Sequence, residues 1–369
     1  MDEETAHWVG FSVFPGIGPV RFKLLLSYFG TAKAAWDAPS KTLREIGLGD
    51  KLTDSFDNFR RTFDTDAYLG KLTELHVSVL TLNSPKYPKL LKQTDDAPFL
   101  LYVLGKNTGT PIDLARTIAV VGTRLVTPYG QGVTEKLVTG LVAYGFTIVS
   151  GLAYGVDAVA HRAALTAGGK TVAVLGCGID IIAPPSNASL YRDIADGGGA
   201  IVSEMPLGLR PNKGLFPARN RIISGLSLGV VVTEGADDSG ALITARNAGE
   251  QGREVFAVPG PITSKYSRGP AKLLKNGAKL VESIEDIVDE LGLNRLQNKS
   301  RGGISEQYKG GTAEERKILE ILADRQIDID GLVRGTGLTI HAVSATLSIL
   351  EMKGVVKDYG EKEYGLNHR

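Results

Sequence analysis

The residues with the clearest chemical potential lie in segment 215–235, which ends in an apolar run of glycine and valines before Thr-Glu-Gly. Ahead of that run stand Phe216, Arg219, Asn220 and Arg221. Guanidinium groups donate charge-assisted hydrogen bonds to phosphates, and an aromatic ring offers a face on which a base can stack. The segment is therefore typical of a docking surface for a ligand that is both anionic and planar.

Glycine-rich loops follow several apolar runs of the chain. They cover 120–124, 149–157, 175–180, 203–221 and 233–245. Glycines such as Gly122 let backbone amides approach a ligand, and Arg124 and Lys213 add cationic donors. Because the loops that follow parallel strands meet at one edge of a sheet, the sequence predicts a single edge that binds phosphates and bases together.

Neither of two common nucleotide-binding motifs is present in full. Gly176 and Gly178 begin a G-x-G-x-x-G pattern, but Ile181 stands where the third glycine is required. The G-x-x-x-x-G-K-[ST] motif of nucleotide triphosphatases is absent from the sequence. We therefore expect no bound cofactor.

Asp157 and His161 are four residues apart and would share one helix face. They could act as an acid–base pair or as two metal ligands, but no third ligand or nucleophile stands beside them. We favour a structural role in which they anchor the preceding loop. The chain has a single cysteine, Cys177, which excludes a cysteine-rich zinc site and indicates a small buried residue. No metal site and no catalytic residue are predicted.

Six apolar runs are predicted to be strands that position these loops. They span 117–122, 147–151, 171–176, 200–204, 229–234 and 254–260. Most are separated by helical segments, and fully apolar strands of this kind belong to parallel sheets covered on both faces. The fold class is therefore α/β, a doubly wound Rossmann-like parallel sheet. Two more apolar runs within 75–105 are expected to extend it.

Smaller segments flank this α/β domain of residues 69–295. Residues 1–68 are predicted to be a small helical domain, whose glycine-rich turn at 14–20 resembles the hairpin of helix-hairpin-helix modules. The alternative for that turn, a tight connection in a helical domain, is favoured by the local charge. Residues 296–311 are polar and predict a flexible linker.

Residues 312–369 predict a winged helix, in which helix, turn and helix precede a small hairpin. The helix that would read DNA, 339–353, offers only His341 and Lys353 as base or phosphate contacts. DNA readers normally carry more positive charge there. We favour a protein-contact or packing role over DNA reading.

The charge distribution places any polyanion site in the middle of the chain. The 369 residues are 43% hydrophobic and 22% charged, and the net charge is +1. It is −2 over 1–68, +5 over 69–310 and −2 over 311–369. No apolar run of a length that spans a membrane and no signal-peptide pattern is present, so we expect a cytoplasmic protein with no membrane partner.

Leu273 and Leu274 lie in a predicted helix that also carries Lys272, Lys275 and Lys279. Apolar side chains beside a polar rim at the end of a sheet suit a self-complementary two-fold interface. The alternative is that both leucines cover the sheet.

The loops and their neighbours together resemble one family. In order along the chain, the segments "YPKLL", "VVGTR", "SGLAYGVDAVAH", "GGKTVAVLGCGID", "FPARNRIISGLS", "SGALITARNAGEQGREVFAVPG" and "NGAKLV" resemble the DNA-processing protein A (DprA/Smf) family over residues 75–283. The resemblance implies a non-catalytic protein that binds single-stranded DNA, protects it, and loads RecA recombinase in natural transformation. It also favours a homodimer through Leu273 and Leu274, with RecA nearby.

The resemblance further implies which residues hold the strand. They are Gly122, Arg124, Ser150, Gly151, Leu152, Lys213, Phe216, Arg219, Asn220 and Arg221. An alternative function is nucleotide hydrolysis by the related nucleoside-monophosphate-cleaving group, whose P-G-G-x-G-T-x-x-E signature is absent. A third is a winged-helix regulator with a ligand-sensing α/β domain, which the poorly basic helix 339–353 disfavours.

Overall fold

The computed structural model describes residues 1–106, 116–293, 312–322, 327–358, 360 and 363–366. The chain divides into two compact units, Met1–Ile287 and Val288–Arg369. The predicted linker at 296–311 lies outside the described residues, as do 359 and 361–362 within the predicted hairpin. None of the described helices is both long and apolar enough to cross a membrane.

Six helices open the first unit. They are α1 (Glu3–Val13), α2 (Pro19–Phe29), α3 (Ala32–Trp36), α4 (Ser40–Glu45), α5 (Asp50–Thr62) and α6 (Thr65–Glu74). Helix α6 crosses the domain boundary predicted after residue 68. The rings of Phe22 and Phe99 stack with centroids 4.1 Å apart, and the hydroxyls of Ser12 and Tyr102 are 2.5 Å apart. These contacts join the N-terminal helices and the sheet in one core.

A nine-stranded sheet forms the centre of this unit. Its strands are β1 (Ser78–Thr81), β2 (Leu100–Leu104), β3 (Thr117–Val121), β4 (Thr147–Ser150), β5 (Thr171–Leu175), β6 (Gly199–Ser203), β7 (Gly229–Val232), β8 (Glu254–Ala257) and β9 (Lys279–Leu280). The order is β1-β2-β6-β5-β4-β3-β7-β8-β9. Strands β3 to β9 pair in parallel. Strands β1 and β2 extend the sheet, as predicted, and they pair antiparallel.

Helices cover both faces of the sheet. They are α7 (Lys89–Lys92), α8 (Pro128–Ala143), α9 (Val156–Thr166), α10 (Ala188–Asp193), α11 (Leu215–Gly225), α12 (Gly240–Glu250), α13 (Arg268–Lys275) and α14 (Ile284–Glu290). Successive strand residues point to opposite faces. Leu101 and Val103 of β2 pack in the cluster that contains α11 and α12, whereas Leu100 and Tyr102 pack with the N-terminal helices. The predicted α/β class is confirmed.

The strand order creates a switch point beside β3. From β3 the chain proceeds through β4, β5 and β6 to one side, then returns to lay β7, β8 and β9 on the other. The loops after β3 and β7 therefore diverge, which opens a crevice at the carboxyl edge between these two strands. Open α/β sheets bind ligands at this position.

The second unit contains the predicted winged helix. Its helices are α15 (Ala313–Leu322), α16 (Ile329–Thr336) and α17 (Ile340–Met352), and its strands are β10 (Ile327–Asp328), β11 (Val356–Asp358) and β12 (Glu363–Leu366). The strands pair antiparallel in the order β10-β12-β11. Asp328 and Thr339 cap the second and third helices through their side chains. Leu332, Val343 and Leu347 are buried in the shared core.

Candidate nucleic-acid interface

A cleft of about 670 Å³ lies at the switch point between β3 and β7. It is lined by residues that follow β3, β4, β6, β7 and β8, so one edge of the sheet builds it. Six of the ten predicted strand-binding residues line this cleft: Gly122, Arg124, Lys213, Phe216, Arg219 and Asn220.

Arg124 and Phe216 come together across the cleft although 92 positions separate them in the sequence. The guanidinium carbon of Arg124 lies 5.3 Å from the centre of the Phe216 ring. Arg124 and Lys213 are exposed, and Phe216 is half-buried. The guanidinium lies over the ring, which brings a cation and an aromatic surface together and suits a phosphate and a base of the same strand.

The loop after β3 is fixed by Glu234, the buried residue that follows β7. Its carboxylate accepts hydrogen bonds from the Thr127 amide at 2.9 Å and the Thr127 hydroxyl at 2.7 Å. The Glu234 carbonyl also accepts from the Thr123 amide at 2.8 Å. A side chain at Gly122 would place its Cβ 2.7 Å from that carbonyl oxygen, so only glycine fits. Arg124 is thus held by a rigid backbone.

The loop after β4 is held in an unusual conformation. Leu152 has φ of 55°, a region that bulky residues rarely adopt. The Asp157 carboxylate accepts from the amides of Gly151 at 3.2 Å and Ala153 at 3.4 Å. Asn187 donates to the Leu152 carbonyl at 3.0 Å. Asp157 therefore anchors this loop, in agreement with the structural role favoured from the sequence.

Arg219 lines the cleft from below. It is 4% exposed, and its Nη1 donates to the carbonyls of Gly151, at 2.8 Å, and Val174. Burial lowers the pKa of its guanidinium, and the nearby Asp157 opposes that shift. A Cβ at Gly151 would lie 2.3 Å from Nη1. Arg219 therefore ties α11 to the loop after β4 and to strand β5.

Four predicted strand-binding residues are not among those that line the cleft: Ser150, Gly151, Leu152 and Arg221. Ser150 and Leu152 are fully buried. Arg221 bonds Glu204 at 2.6 Å and Asp96 at 3.2 Å. Helical spacing explains the position of Arg221. At 100° per residue, it lies off the α11 face that Phe216, Arg219 and Asn220 share.

The cleft also contains residues that sequence reasoning did not select. Lys265 and Tyr266 line it from the segment after β8. The Lys265 Nζ lies 4.9 Å from the centre of the Tyr266 ring. These two residues follow β8 by eight and nine positions and belong to no motif quoted above. A cation next to an aromatic residue was the signal that could have identified them.

His161 is buried and takes no part in the cleft. Its Nδ1 lies 2.6 Å from the Thr171 hydroxyl. Burial lowers the pKa of His161 to about 3, assisted by the positive charges of Arg219 and Arg162. Across the part of the chain that the structure describes, no three His, Cys, Asp or Glu residues form a cluster that could hold a metal ion.

Leu273 and Leu274, predicted at an interface, are both half-buried on α13. Leu273 packs against the core cluster that covers α11 and α12. It also lines a groove of about 440 Å³ together with Leu242 and Ile243 of α12. The structure thus places Leu273 against the core, and Leu274 is half-buried on the same helix.

Sequence comparison relates the whole chain to known proteins. Sequence models described as "DNA recombination-mediator protein A" and "DprA winged helix domain" match residues 78–292 and 306–360. Protein Smf of Synechocystis is 35% identical over 391 residues, which covers 96% of this chain and 97% of that protein. DNA processing protein DprA of Bacillus subtilis is 42% identical over 229 residues, covering 62% and 76%.

Solved structures give the same result. The X-ray structure of DNA processing protein A from Streptococcus pneumoniae superposes with a TM-score of 0.68 at 36% identity, covering 77% of this chain and 97% of that one. The protein from Helicobacter pylori, described for its single-stranded DNA binding mode, superposes with a TM-score of 0.52 at 31% identity and covers 62% and 98%. With the α/β sheet, the switch-point cleft and the winged helix all present, the chain belongs to the DprA/Smf family of DNA recombination-mediator proteins.

Proposed function

We propose that the switch-point cleft binds single-stranded DNA and that the protein passes the bound strand to RecA recombinase. The observation that carries this proposal is the Arg124–Phe216 pair, in which a cation lies 5.3 Å from an aromatic ring inside the cleft. Lys213 adds a second exposed cation. The binding mode described for the Helicobacter relative supports the same polymer.

Single strands are expected to bind more tightly than duplex, with little preference for sequence. A duplex hides its base faces, whereas a ring such as Phe216 and cationic contacts to phosphates accept any base of a single strand. Fluorescence anisotropy with labelled oligothymidine and a duplex of equal length, at matched salt, measures the difference. Equal or tighter binding of the duplex would contradict the proposal.

Replacing Arg124 by alanine tests whether the strand crosses the loop after β3. The variant should bind oligothymidine about 5- to 150-fold more weakly, the effect of losing about 1–3 kcal/mol of charge-assisted hydrogen bonding. The salt dependence of log K should become shallower by about 0.7, because one phosphate contact fewer releases counterions. Lys136→Ala is the control, because it removes the same charge from an exposed position on α8. If Arg124→Ala binds as wild type does, the strand does not cross this loop.

We further propose that the protein is not an enzyme. Support comes from Asp157, an acid that lines the cleft and whose carboxylate accepts hydrogen bonds from backbone amides. Burial raises the pKa of Asp157, and Arg219 and the amide donors oppose that shift. Incubation with a panel of nucleoside monophosphates tests the alternative, since release of free base at enzymatic rates would favour the hydrolase function instead.

The transfer to RecA and the homodimer complete the proposal, and membership of the DprA/Smf family supports both. RecA assembly on a strand already coated with single-strand-binding protein provides the test. The wild type should shorten the lag before RecA ATP hydrolysis begins, and Arg124→Ala should not. A lag that is unchanged by the wild type would contradict RecA loading without affecting the strand-binding proposal.

A further inference from the structure

We propose that Lys265 and Tyr266 form a second nucleotide subsite, in the same cleft as the Arg124–Phe216 pair. Its ligand would be another nucleotide of the same single strand, with the base against the Tyr266 ring and a phosphate near Lys265. This inference rests on the proposed function, because it assigns a further part of the strand to the same cleft.

The chemistry of the two pairs is the same. In each, a cation lies close to an aromatic ring: 5.3 Å for Arg124 and Phe216, and 4.9 Å for Lys265 and Tyr266. All four residues line the one cleft. In both pairs the cation is exposed and the ring is half-buried, so the ring retains accessible surface while its position is supported. This combination is how proteins hold single strands without reading their sequence.

The Tyr266 backbone is anchored to the loop after β7. Its carbonyl accepts a hydrogen bond from the Gly235 amide at 2.7 Å. The Ser264 hydroxyl accepts from the Tyr266 amide at 3.2 Å and caps the short helical turn Lys265–Ser267. Gly269 continues the attachment, because its amide donates to the Gly235 carbonyl at 2.8 Å. A ring presented from such a turn is pre-organised, which lowers the entropy cost of binding.

The two rings are supported from different strands of the sheet. Phe216 lies over Gly176, where an added Cβ would be 3.3 Å from the ring, and Gly176 directly follows β5. Tyr266 is attached to Gly235, which follows β7. In the order β5-β4-β3-β7 these supports are three strand spacings apart, or about 14 Å. Bases of one strand stack about 3.4 Å apart, so we expect the two rings to contact different nucleotides.

In this proposal Lys265 also balances a negative charge that lines the cleft. Asp238, an exposed residue after β7, also lines the cleft and would repel a phosphate. A cation beside Tyr266 offsets that negative charge. The proposal thus places one strand against two aromatic residues of the same cleft, each with its own cation.

The test measures binding of oligothymidines from two to about 16 nucleotides to the full-length protein. Tyr266→Ala should bind strands that span the cleft about 5- to 150-fold more weakly, the effect measured for loss of one base–aromatic stack. It should bind the shortest strand with wild-type affinity, because that strand occupies the Arg124–Phe216 subsite, where Lys213 supplies a second cation. Tyr266→Phe keeps the ring and should behave as wild type.

Lys265→Ala changes an exposed side chain and tests the same subsite without altering the anchored turn. It should weaken binding of spanning strands only and make their salt dependence shallower by about 0.7. Two matched controls should have no effect at any length. Tyr28→Ala removes an equally large ring that is 60% exposed on α2, and Ile262→Ser changes a fully exposed residue of the same segment that does not line the cleft.

Two results would overturn the second subsite. In the first, Tyr266→Ala and Lys265→Ala both bind spanning strands as the wild type does, whereas Arg124→Ala and Phe216→Ala bind them more weakly. The other is an equal loss at every length, which would assign Tyr266 to the first subsite. If Arg124→Ala and Phe216→Ala also bind as wild type does, the proposed function itself fails.

Discussion

Arg219 and Asp157 lie beneath the cleft, whereas Arg124 is exposed on its surface. Arg219 donates to the Gly151 carbonyl, and Asp157 accepts from the Gly151 amide. Without such partners, a buried charge would destabilise the folded protein. Their hydrogen bonds hold Leu152 in its left-handed conformation. At the scale of single residues, the cleft therefore combines side chains that face a ligand with side chains that hold the loops in place.

His161, also at the scale of single residues, leads to a prediction about how the stability of the protein depends on pH. Its pKa of about 3 in the folded protein lies below the ordinary 6.5, so between these values the unfolded chain binds more protons. The free energy of unfolding should therefore gain a contribution that rises with pH, by at most about 1.4 kcal/mol per pH unit. Denaturant titrations of the wild type and His161→Phe at several pH values measure it.

The variant keeps a ring of similar size and cannot titrate. The stability difference between wild type and His161→Phe should shrink as the pH falls from 6.5 towards 3, and it should be constant above about pH 7.5. Loss of the contact to Thr171 shifts the whole curve equally at every pH, because a threonine hydroxyl does not titrate in this range. A difference that is independent of pH would contradict a histidine that is neutral when folded.

At the scale of elements, α17 of the winged helix is poorly equipped to bind DNA. Lys353, one of its two predicted contacts, bonds the buried Glu315 of α15 at 2.7 Å. Ile349 is 41% exposed and Met352 82% exposed, which leaves apolar groups on the outer side of the helix. This arrangement supports the protein-contact role favoured from the sequence.

Single changes in the winged helix should therefore affect strand binding less than Arg124→Ala does. His341→Ala and Lys353→Ala are the two variants to compare, by anisotropy with the same oligothymidine. Lys353→Ala should also lower the melting temperature, because Glu315 would lose its cation in a buried setting. A greater loss of binding in either winged-helix variant than in Arg124→Ala would identify this domain as a main DNA contact.

At the scale of the whole molecule, the proposed dimer is tested at α13. Leu273 packs against the core, so Leu274 is the better position for a charge. Leu274→Glu should convert a dimer to a monomer in sedimentation velocity. It should retain affinity for short strands and lose affinity for long ones, because two clefts on one particle raise the effective concentration of the second contact.

Leu24→Glu provides the matched control, since Leu24 is 43% exposed on α2. It should sediment as the wild type does. A Leu274→Glu variant that stays dimeric would show that the interface lies elsewhere. A wild type that is monomeric at about 10 μM, a concentration that populates most specific complexes, would contradict the homodimer.

The sequence by itself determined the elements and most of the ligand chemistry. Apolar runs such as 117–122 and 229–234 end within two residues of the observed strands β3 and β7, because burial on both faces imposes a local pattern. The glycine-rich loops after them, with Arg124 and Phe216, were identified for the same reason. Their types and local spacing indicated phosphate and base binding before any distance was known.

Only the tertiary structure decided which of these residues meet. The strand order placed the switch point between β3 and β7, and no local pattern encodes which strands become neighbours. Packing turned Arg219 into the core and Arg221 toward Glu204, although both stand in one motif with Asn220. It also brought Lys265 and Tyr266 into the cleft. Side-chain direction and long-range proximity depend on the whole core, whereas periodicity reports only the nearest turns of the chain.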